Sequence, residues 1–173
     1  MIMQQNIADD LNALADPDRT VRLGAVRRLG AAGGSAVHPL IRVMEGAQSD
    51  EYRWYAALAL SRIGEPAVDP VIGALRSTRD PDFRRYAAAA LGHMGEPAVD
   101  PLIRAMKGAD PALRGFLSAA LSRIGEPAIE RLTAVAAGPD EELRRCAALT
   151  LWGMGEAGIL EMMRSLGEEE PEP

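Results

Sequence analysis

The chain has 173 residues, a formal net charge of −6 at pH 7 and a sequence pI of about 5.0. This length is enough for one domain with a hydrophobic core, and the acidic balance argues against general nucleic-acid binding. Aromatic residues make up only 4% of a chain that is 47% hydrophobic, so Ala, Leu, Ile, Val and Met must do the packing, as they do between closely packed helices.

Features of targeting and covalent cross-linking are missing from the sequence. No apolar run approaches the roughly 20 residues of a membrane span, and the first ten residues do not have the basic and apolar segments of a secretory signal. Cys146 is the only cysteine, which excludes an intrachain disulfide and a multi-cysteine metal cluster. We therefore expect a cytoplasmic protein without a membrane association.

The first predicted element is a helix over 6–15, with Ile7, Leu11 and Leu14 on its inward side. Five repeats follow this helix, and each of them has a glycine near its middle. These glycines are Gly33, Gly64, Gly95, Gly125 and Gly155, and their successive spacings along the chain are 31, 31, 30 and 30. A leucine lies four residues before each glycine, at Leu29, Leu60, Leu91, Leu121 and Leu151.

Two further columns keep the same register. Seven residues before each repeat leucine is an arginine, namely Arg22, Arg53, Arg84, Arg114 and Arg144. Eleven residues before it is Asp18, Ser49, Asp80, Asp110 or Asp140. A register kept through five units identifies a repeat protein.

Each repeat divides into two predicted helices, which we call the Arg helix and the Pro helix. In the third repeat, Asp80 is the expected N-cap and Pro81 the first helical residue. Gly95 is expected to end this Arg helix in a left-handed conformation. The Pro helix then covers 98–106. The heptapeptide GEPAVDP, which begins at Gly64 and again at Gly95, is therefore the joint between two helices.

A closing helix is predicted over 158–166, which makes eleven helices and no strand. The predicted domain spans 1–167 as a single solenoid. Residues 168–173 read EEEPEP, which we interpret as an acidic, disordered tail.

The recurrent form D-x-x-[VFL]-R-x-x-A-A-x-A-L-x-x-[IM]-G, followed by A-V-D-P-L-I, resembles the short HEAT-like repeat of the phycobilisome-lyase type. The resemblance runs from Asp18 to about Leu166. It implies an all-α fold, a right-handed α-solenoid (superhelix) of stacked antiparallel helix pairs, with HEAT-like repeats of about 30 residues each. It also implies that the Arg helices line the concave side and that partners bind at their outward positions.

The outward positions of the Arg helices carry aromatic residues, leucines and arginines, which are unusual on a face that contacts only solvent. At about 100° per residue, the positions six and two before each repeat leucine, and two after it, point away from the packed face. The position five before it lies on the flank. Trp, Tyr and Arg are the residues that most often anchor protein interfaces. The predicted partner-binding residues are Trp54, Tyr55, Leu58, Arg62, Arg85, Tyr86, His93, Phe116, Arg123 and Leu149.

The leading hypothesis is a non-enzymatic interaction or scaffold module without a cofactor, which binds an acidic protein or peptide in the concave groove. Two alternatives concern the same face: the column Tyr55, Tyr86 and Phe116 could pack between helices, and a second copy of the chain could cover Trp54. A nucleic-acid-binding HEAT-like protein is a further alternative, because Arg145 adds to the basic residues of the face, but the net charge argues against it.

Candidate catalytic and metal-binding residues are few. His38 and His93 belong to different repeats, and the repeated His-Glu pairs that hold iron in deoxyhypusine hydroxylase, which also has HEAT repeats, are missing. Lyase or hydroxylase activity is therefore implied only by resemblance. The arginine column is interpreted as structural, with the side-chain stems across the core edge. Asp100 is expected to pair with Arg104, four residues later on the same helix.

Overall fold

The computed structural model describes the backbone of residues 2–47 and 49–167, and the side chains of 6–47 and 49–161. This part of the chain contains eleven α-helices, one 3₁₀ turn and no strand, which confirms the all-helical repeat fold. Residues 168–173, interpreted above as a disordered tail, lie outside the described residues.

The helices alternate between the two predicted types. The Arg helices are α2 (Arg19–Ala32), α4 (Asp50–Ile63), α6 (Pro81–Met94), α8 (Pro111–Ile124) and α10 (Glu141–Gly153). The helices of the other layer are α1 (Ile2–Ala13), α3 (Gly34–Gly46), α5 (Glu65–Ser77), α7 (Val99–Met106), α9 (Glu126–Ala136) and α11 (Glu156–Gly167). The 3₁₀ turn Glu96–Ala98 precedes α7. Only the first and last helices differ noticeably from their predicted bounds.

All five predicted N-caps are confirmed. In each Arg helix the side chain of the N-cap accepts a hydrogen bond from a backbone N–H two or three residues further on. Asp80, for example, accepts from the N–H of Asp82 at 2.9 Å. Such a cap stabilises a helix by about 1 kcal/mol, so each Arg helix begins at a residue that the sequence specifies locally.

The joint between the helices is tighter than expected. Gly95 has φ 78° and ψ −148°, which is not the left-handed helical region but a region that is essentially restricted to glycine. Its carbonyl accepts from the N–H of Ala98 at 3.0 Å. One glycine therefore ends an Arg helix and begins the next helix without an intervening loop, which explains the difference from the expected conformation.

The core lies between the two layers and is built from the repeat leucines, which are completely buried, and from alanines of the Arg helices such as Ala56, Ala59 and Ala87. Because these side chains are small, neighbouring Arg helices from α2 to α8 lie closer together than neighbouring Pro helices do. Between α8 and α10 this close packing is relaxed.

The arginine column connects each repeat to the loop that precedes it. Nε of Arg53 donates to the carbonyl of Met44 at 3.0 Å, and Nε of Arg84 donates to the carbonyl of Thr78 at 3.0 Å. These carbonyls lie at or just beyond the end of a Pro helix, where helical carbonyls have no partner within the helix. The structural interpretation of the column is therefore confirmed.

The same arginines also reach the following repeat. Four ion pairs join an arginine of one repeat to an acidic residue at the start of the next Arg helix. They are Arg22–Glu51 at 3.0 Å, Arg53–Asp80 at 3.6 Å, Arg84–Asp110 at 3.4 Å and Arg114–Glu142 at 2.6 Å. We call this series the arginine ladder. It makes the column an inter-repeat connection and not only a local one.

Replacing Arg84 with Ala should lower the free energy of unfolding by about 2–4 kcal/mol, because it leaves the Thr78 carbonyl and the Asp110 carboxylate without their partner. Arg84 is only 4% exposed. Arg144→Ala is the matched control, since Arg144 is in the same column but exposed; it should cost less than about 1 kcal/mol. Urea denaturation of the two variants measures the difference. Equal losses of unfolding free energy in the two variants would contradict a structural role of the buried Arg84.

Stability should also depend on the ionisation of Asp110. Its pKa lies below the ordinary value of 3.8, because the carboxylate accepts from the backbone N–H of Leu113 and from the Arg84 guanidinium. Because the pKa is lower in the folded protein, the ionised carboxylate stabilises the fold at pH values above 3.8. This contribution is lost as the pH falls below 3.8. The neutral variant Asp110→Asn keeps an N-cap acceptor but has no charge.

Wild type should therefore be more stable than Asp110→Asn at about pH 7, and the difference should shrink as the pH falls below the ordinary value of 3.8. Urea midpoints across this range measure the convergence. A difference that stays constant down to the lowest pH would show that the charge of Asp110 has no part in it.

Candidate protein-binding groove

A groove runs between α4, α6 and α8 on the outward side of the Arg helices. Its volume is about 240 Å³. It is lined by Trp54, Ala57, Leu58, Ser61, Arg85, Tyr86, Ala89, Ala90, His93 and Arg123. We call it the Trp54 groove. Six of the ten residues predicted to bind a partner thus come together at one place.

Trp54 is the most prominent apolar side chain of this groove. It is 45% exposed although tryptophan is usually well covered in folded proteins. Its ring meets that of Tyr55 edge to face, with 4.7 Å between the centroids. An aromatic pair in this geometry is favourable, so the exposed ring is held in place by a buried one.

Tyr55 itself is not an exposed anchor, and this part of the prediction is wrong. The side chain is only 4% exposed, and the guanidinium of Arg22 lies 4.9 Å from the centre of its ring. The reason is that the position five before the repeat leucine faces the neighbouring Arg helix. Tyr86 and Phe116 occupy the same column and are half-buried against the core.

The arginines of the groove differ in their surroundings. Arg85 lies over the ring of Tyr86, with 4.8 Å to the centroid, and forms ion pairs with Asp82 at 3.2 Å and with Asp50 at 3.4 Å. Its charge is therefore partly neutralised. Arg123 is exposed, and none of the ion pairs among the described residues includes it.

Glycines in the Arg helix of one repeat leave space for the aliphatic part of an arginine side chain from the next repeat. A Cβ atom on Gly92 would lie 2.7–3.0 Å from three side-chain carbons of Arg123, and a Cβ atom on Gly30 would lie 2.9 Å from Cβ of Arg62. Contacts this short are not seen between real side chains. The stems of Arg62 and Arg123 therefore lie across a neighbouring helix, and of the two only Arg123 lines the Trp54 groove.

Leu149 lies apart from the Trp54 groove. It is 68% exposed and borders a smaller notch of about 150 Å³ between α8 and α10, which Gly115, Ser118, Arg145 and Cys146 also line. This notch is where the packing of the Arg helices is relaxed. The structure thus places six of the ten predicted residues at the Trp54 groove and Leu149 at this notch, whereas Tyr55, Arg62 and Phe116 line neither.

Comparison with known families decides what kind of repeat this is. The family described as HEAT repeats matches residues 8–78 and 68–152, which together are most of the chain. The chain belongs to the HEAT-repeat family. Its solenoid is of a kind suited to protein interaction, because stacked repeats form extended binding surfaces.

Several solved structures resemble this HEAT-repeat protein at low sequence identity. The complex of CpcE and CpcF of phycocyanin lyase from Nostoc sp. is 20% identical, with 85% of this chain and 98% of that chain covered and a TM-score of 0.45. A designed armadillo repeat protein is 17% identical, with 96% and 93% covered and a TM-score of 0.34. Among curated proteins, no significant match is found.

Three exposed apolar residues of the HEAT-repeat protein were not predicted, and the least exposed of them is Val21 at 38%. Trp152 is 65% exposed and Leu160 is 55% exposed. A signal for Trp152 was available, because the residue after the repeat leucine is small in every earlier repeat and is Gly30, Ser61, Gly92 or Ser122. In the fifth repeat, no helix of a following repeat lies among the described residues to require a small side chain.

Acidic residues at the start of the Pro helices border a second groove. This groove has a volume of about 570 Å³ and is lined by Glu65, Glu96, Asp100 and Glu130, among others. Asp100 accepts a hydrogen bond from Nε of Arg131 in the next repeat at 2.5 Å, so the expected pairing with Arg104 is wrong. Asp100 pairs between repeats because the neighbouring Pro helix brings Arg131 within reach.

The described residues contain neither a metal-binding cluster nor a membrane-spanning helix. No three His, Cys, Asp or Glu side chains in this part of the chain are grouped closely enough to hold a metal ion. None of the helices described is both long and apolar enough to cross a membrane.

The glycine contacts yield a paired test. Gly92→Ala should lower the free energy of unfolding by about 1–2 kcal/mol, because the added methyl group forces α6 and α8 apart. Gly115→Ala, in the middle of an Arg helix with open space around its Cα, should raise it by about 0.5–1 kcal/mol through helix propensity. Thermal or urea denaturation measures both, and a stabilised Gly92→Ala variant would contradict the described packing of Arg123.

Proposed function

We propose that this HEAT-repeat protein is a non-enzymatic binding module that holds an acidic segment of a partner protein, or an acidic peptide, in the Trp54 groove. The observation that carries the proposal is the exposed ring of Trp54 beside an apolar floor, with arginines at the rim. Exposed apolar surface bordered by charge is typical of an interaction site.

The apolar part of the groove supplies an anchor. Trp54 is supported from behind by Tyr55, so its ring loses little freedom when a partner covers it. Leu58 and Ala89 line the same groove. An apolar side chain of the partner would be buried between Trp54 and Tyr86, as in the central anchors of other interfaces.

The charged part supports an acidic partner. Arg123 is exposed, and its stem is fixed across Gly92 of the preceding repeat, so it loses little side-chain freedom when it binds a carboxylate. Arg85 is held by Asp50 and Asp82, and an incoming carboxylate would compete with these for it. Charges of this kind speed up encounter and select the partner.

The curvature of the stack supports the choice of face. From α2 to α8 the Arg helices lie closer together than the Pro helices, and a stack curves toward its more closely spaced layer. We infer that the Trp54 groove lies on the concave side, where an extended segment contacts several repeats at once. Self-association through this groove is a separate outcome of the test below.

A peptide library displayed on phage and selected against the full chain provides defined ligands. We expect the selected peptides to carry acidic residues next to an apolar one. Trp54→Ala should weaken binding of these peptides at least about tenfold, as for an interface anchor, without a loss of stability. Trp152→Ala is the matched control, since Trp152 is also exposed but lies outside the groove, and it should bind as wild type does.

Fluorescence gives a direct readout, because the chain has two tryptophans. In Trp152→Phe the emission reports Trp54 alone and should shift to the blue on peptide binding, less so at high salt. Peptides that bind Trp54→Ala with unchanged affinity would contradict the proposed groove. Selected peptides without acidic residues would contradict the proposed partner chemistry, and sedimentation of the free chain as a Trp54-dependent dimer would assign the groove to self-association.

A further inference from the structure

Trp152 lies at a position where an earlier repeat contacts its successor. It follows the repeat leucine directly, in the column of Gly92. Gly92 packs against the side chain of Arg123 in the next repeat. Trp152 instead has a large ring, which is 65% exposed. The fifth Arg helix therefore presents an apolar side chain on the side that a following Arg helix would cover.

Leu160 shows the same change in the other layer. It occupies the column of Asp100, which accepts a hydrogen bond from Arg131 of the next repeat, and it is 55% exposed. Terminal repeats of a soluble solenoid carry a polar outer face. We call the surface with Trp152 and Leu160 the end face, and its apolar character favours contact with another helical unit.

The arginine ladder is open at the same end of the stack. Arg144 is the fifth member of the arginine column, and its Nη1 donates to the carbonyl of Gly138 at 3.5 Å. Its side chain is exposed. Among the residues that the structure describes, no acidic side chain forms an ion pair with it. Arg53 and Arg84, by contrast, each bind the N-cap aspartate of the next repeat.

The opposite end of the stack carries the complementary charge. Asp18, the N-cap of the first Arg helix, is exposed, and its carboxylate accepts from the backbone N–H of Thr20 at 2.7 Å. No ion pair among the described residues includes Asp18. In the same column, Asp80 and Asp110 bind both a backbone N–H and an arginine of the preceding repeat. Asp18 can therefore bind an arginine in the same way.

A groove between α1 and α2 lies at this end. Its volume is about 490 Å³, and it is lined by Asn6, Ile7, Asp9, Asp10, Arg28, Ala31 and Ala32. We call it the α1–α2 groove. Ala31 is exposed and occupies the column of Arg62 and Arg123, whose stems lie against glycines of the preceding repeat. A small residue thus stands where the inner repeats have a long one, which leaves room for a large side chain from a neighbour.

The intervals along the helices at the two ends match those inside the stack. The interval from a ladder arginine to the position that faces the next Arg helix is eight residues, both in Arg84–Gly92 and in Arg144–Trp152. The interval from an N-cap to the position that faces the preceding Arg helix is thirteen residues, both in Asp110–Arg123 and in Asp18–Ala31. Stacking α2 of a second copy on α10, as α8 stacks on α6, therefore brings the charged pair and the apolar pair together at once.

We propose that the end face binds the opposite end of a second copy of this chain, with Arg144 of one copy paired to Asp18 of the other and the ring of Trp152 in the α1–α2 groove. Leu160 then lies beside α1 of the second copy, which is the first helix of that copy's Pro layer. Because α1 adds a helix to this layer at the junction, the two copies are inclined toward the Arg side. A head-to-tail contact of this kind leaves an end open for a further copy, so association continues beyond a dimer to a ring or an open chain.

Sedimentation equilibrium of the full chain over a range of protein concentrations measures this association. We expect the weight-average mass of wild type to rise with concentration beyond that of a dimer. Trp152→Ser removes the apolar anchor and should need at least about tenfold more protein to associate. Trp54→Ser is the matched control, because it removes an exposed tryptophan ring away from the end face, and it should associate as wild type does.

Charge reversal tests the pairing and the orientation. Arg144→Glu and Asp18→Arg each place like charges at the junction and should each weaken association about fivefold or more. An equimolar mixture of the two variants should associate again, because every junction between unlike chains then joins opposite charges. Asp18→Arg also loses the N-cap, so its helix content is checked by circular dichroism. Asp18→Asn keeps a cap acceptor and should weaken association as well.

Wild type that stays monomeric at every concentration would overturn the proposal. Association that is lost in Trp152→Ser but unchanged in both Asp18 variants would show that two end faces meet each other, and would overturn the head-to-tail contact. A mixture of the charge-reversed variants that associates no better than either alone would contradict the pairing of Arg144 with Asp18. Association that depends on Trp54 instead of Trp152 would assign the contact to the Trp54 groove, and would overturn the proposal as well.

Discussion

The arginine ladder is the interaction on which the rest of the structure depends. Each arginine binds carbonyls at the end of one Pro helix and a carboxylate at the start of the next Arg helix, so a single side chain fixes the relative position of two repeats. In a solenoid each repeat contacts only its neighbours. The ladder therefore fixes how one repeat follows the next, and the small side chains of the Arg helices then let neighbouring Arg helices approach closely.

The candidate groove is a consequence of this spacing. Because the Arg helices approach closely, a glycine on one helix accepts the stem of an arginine from the next, as Gly92 accepts Arg123. The same approach brings Trp54 of the second repeat beside Tyr86 of the third. The residues that form the groove are those at which the repeats differ from one another, whereas the residues that the repeats share maintain the stack.

Much of the fold could be predicted because its signals are local. The N-cap aspartates and the closing glycines act within a few residues of their own position, and all were confirmed as helix boundaries. What depends on a neighbouring repeat was harder to predict: Tyr55 is covered by Arg22, and Asp100 is bound by Arg131. Trp152 is exposed where earlier repeats have a small residue. A register deduced from one repeat does not contain these contacts between repeats.

The central claim is that the ladder joins one repeat to the next, and a double-mutant cycle between Arg84 and Asp110 tests it most directly. The free energy of unfolding is measured for Arg84→Gln, Asp110→Asn and the double variant. If the pair couples the third and fourth repeats, the double variant should lose less free energy of unfolding than the sum of the two single losses. Strictly additive losses would show that the two side chains act independently, and would contradict the account.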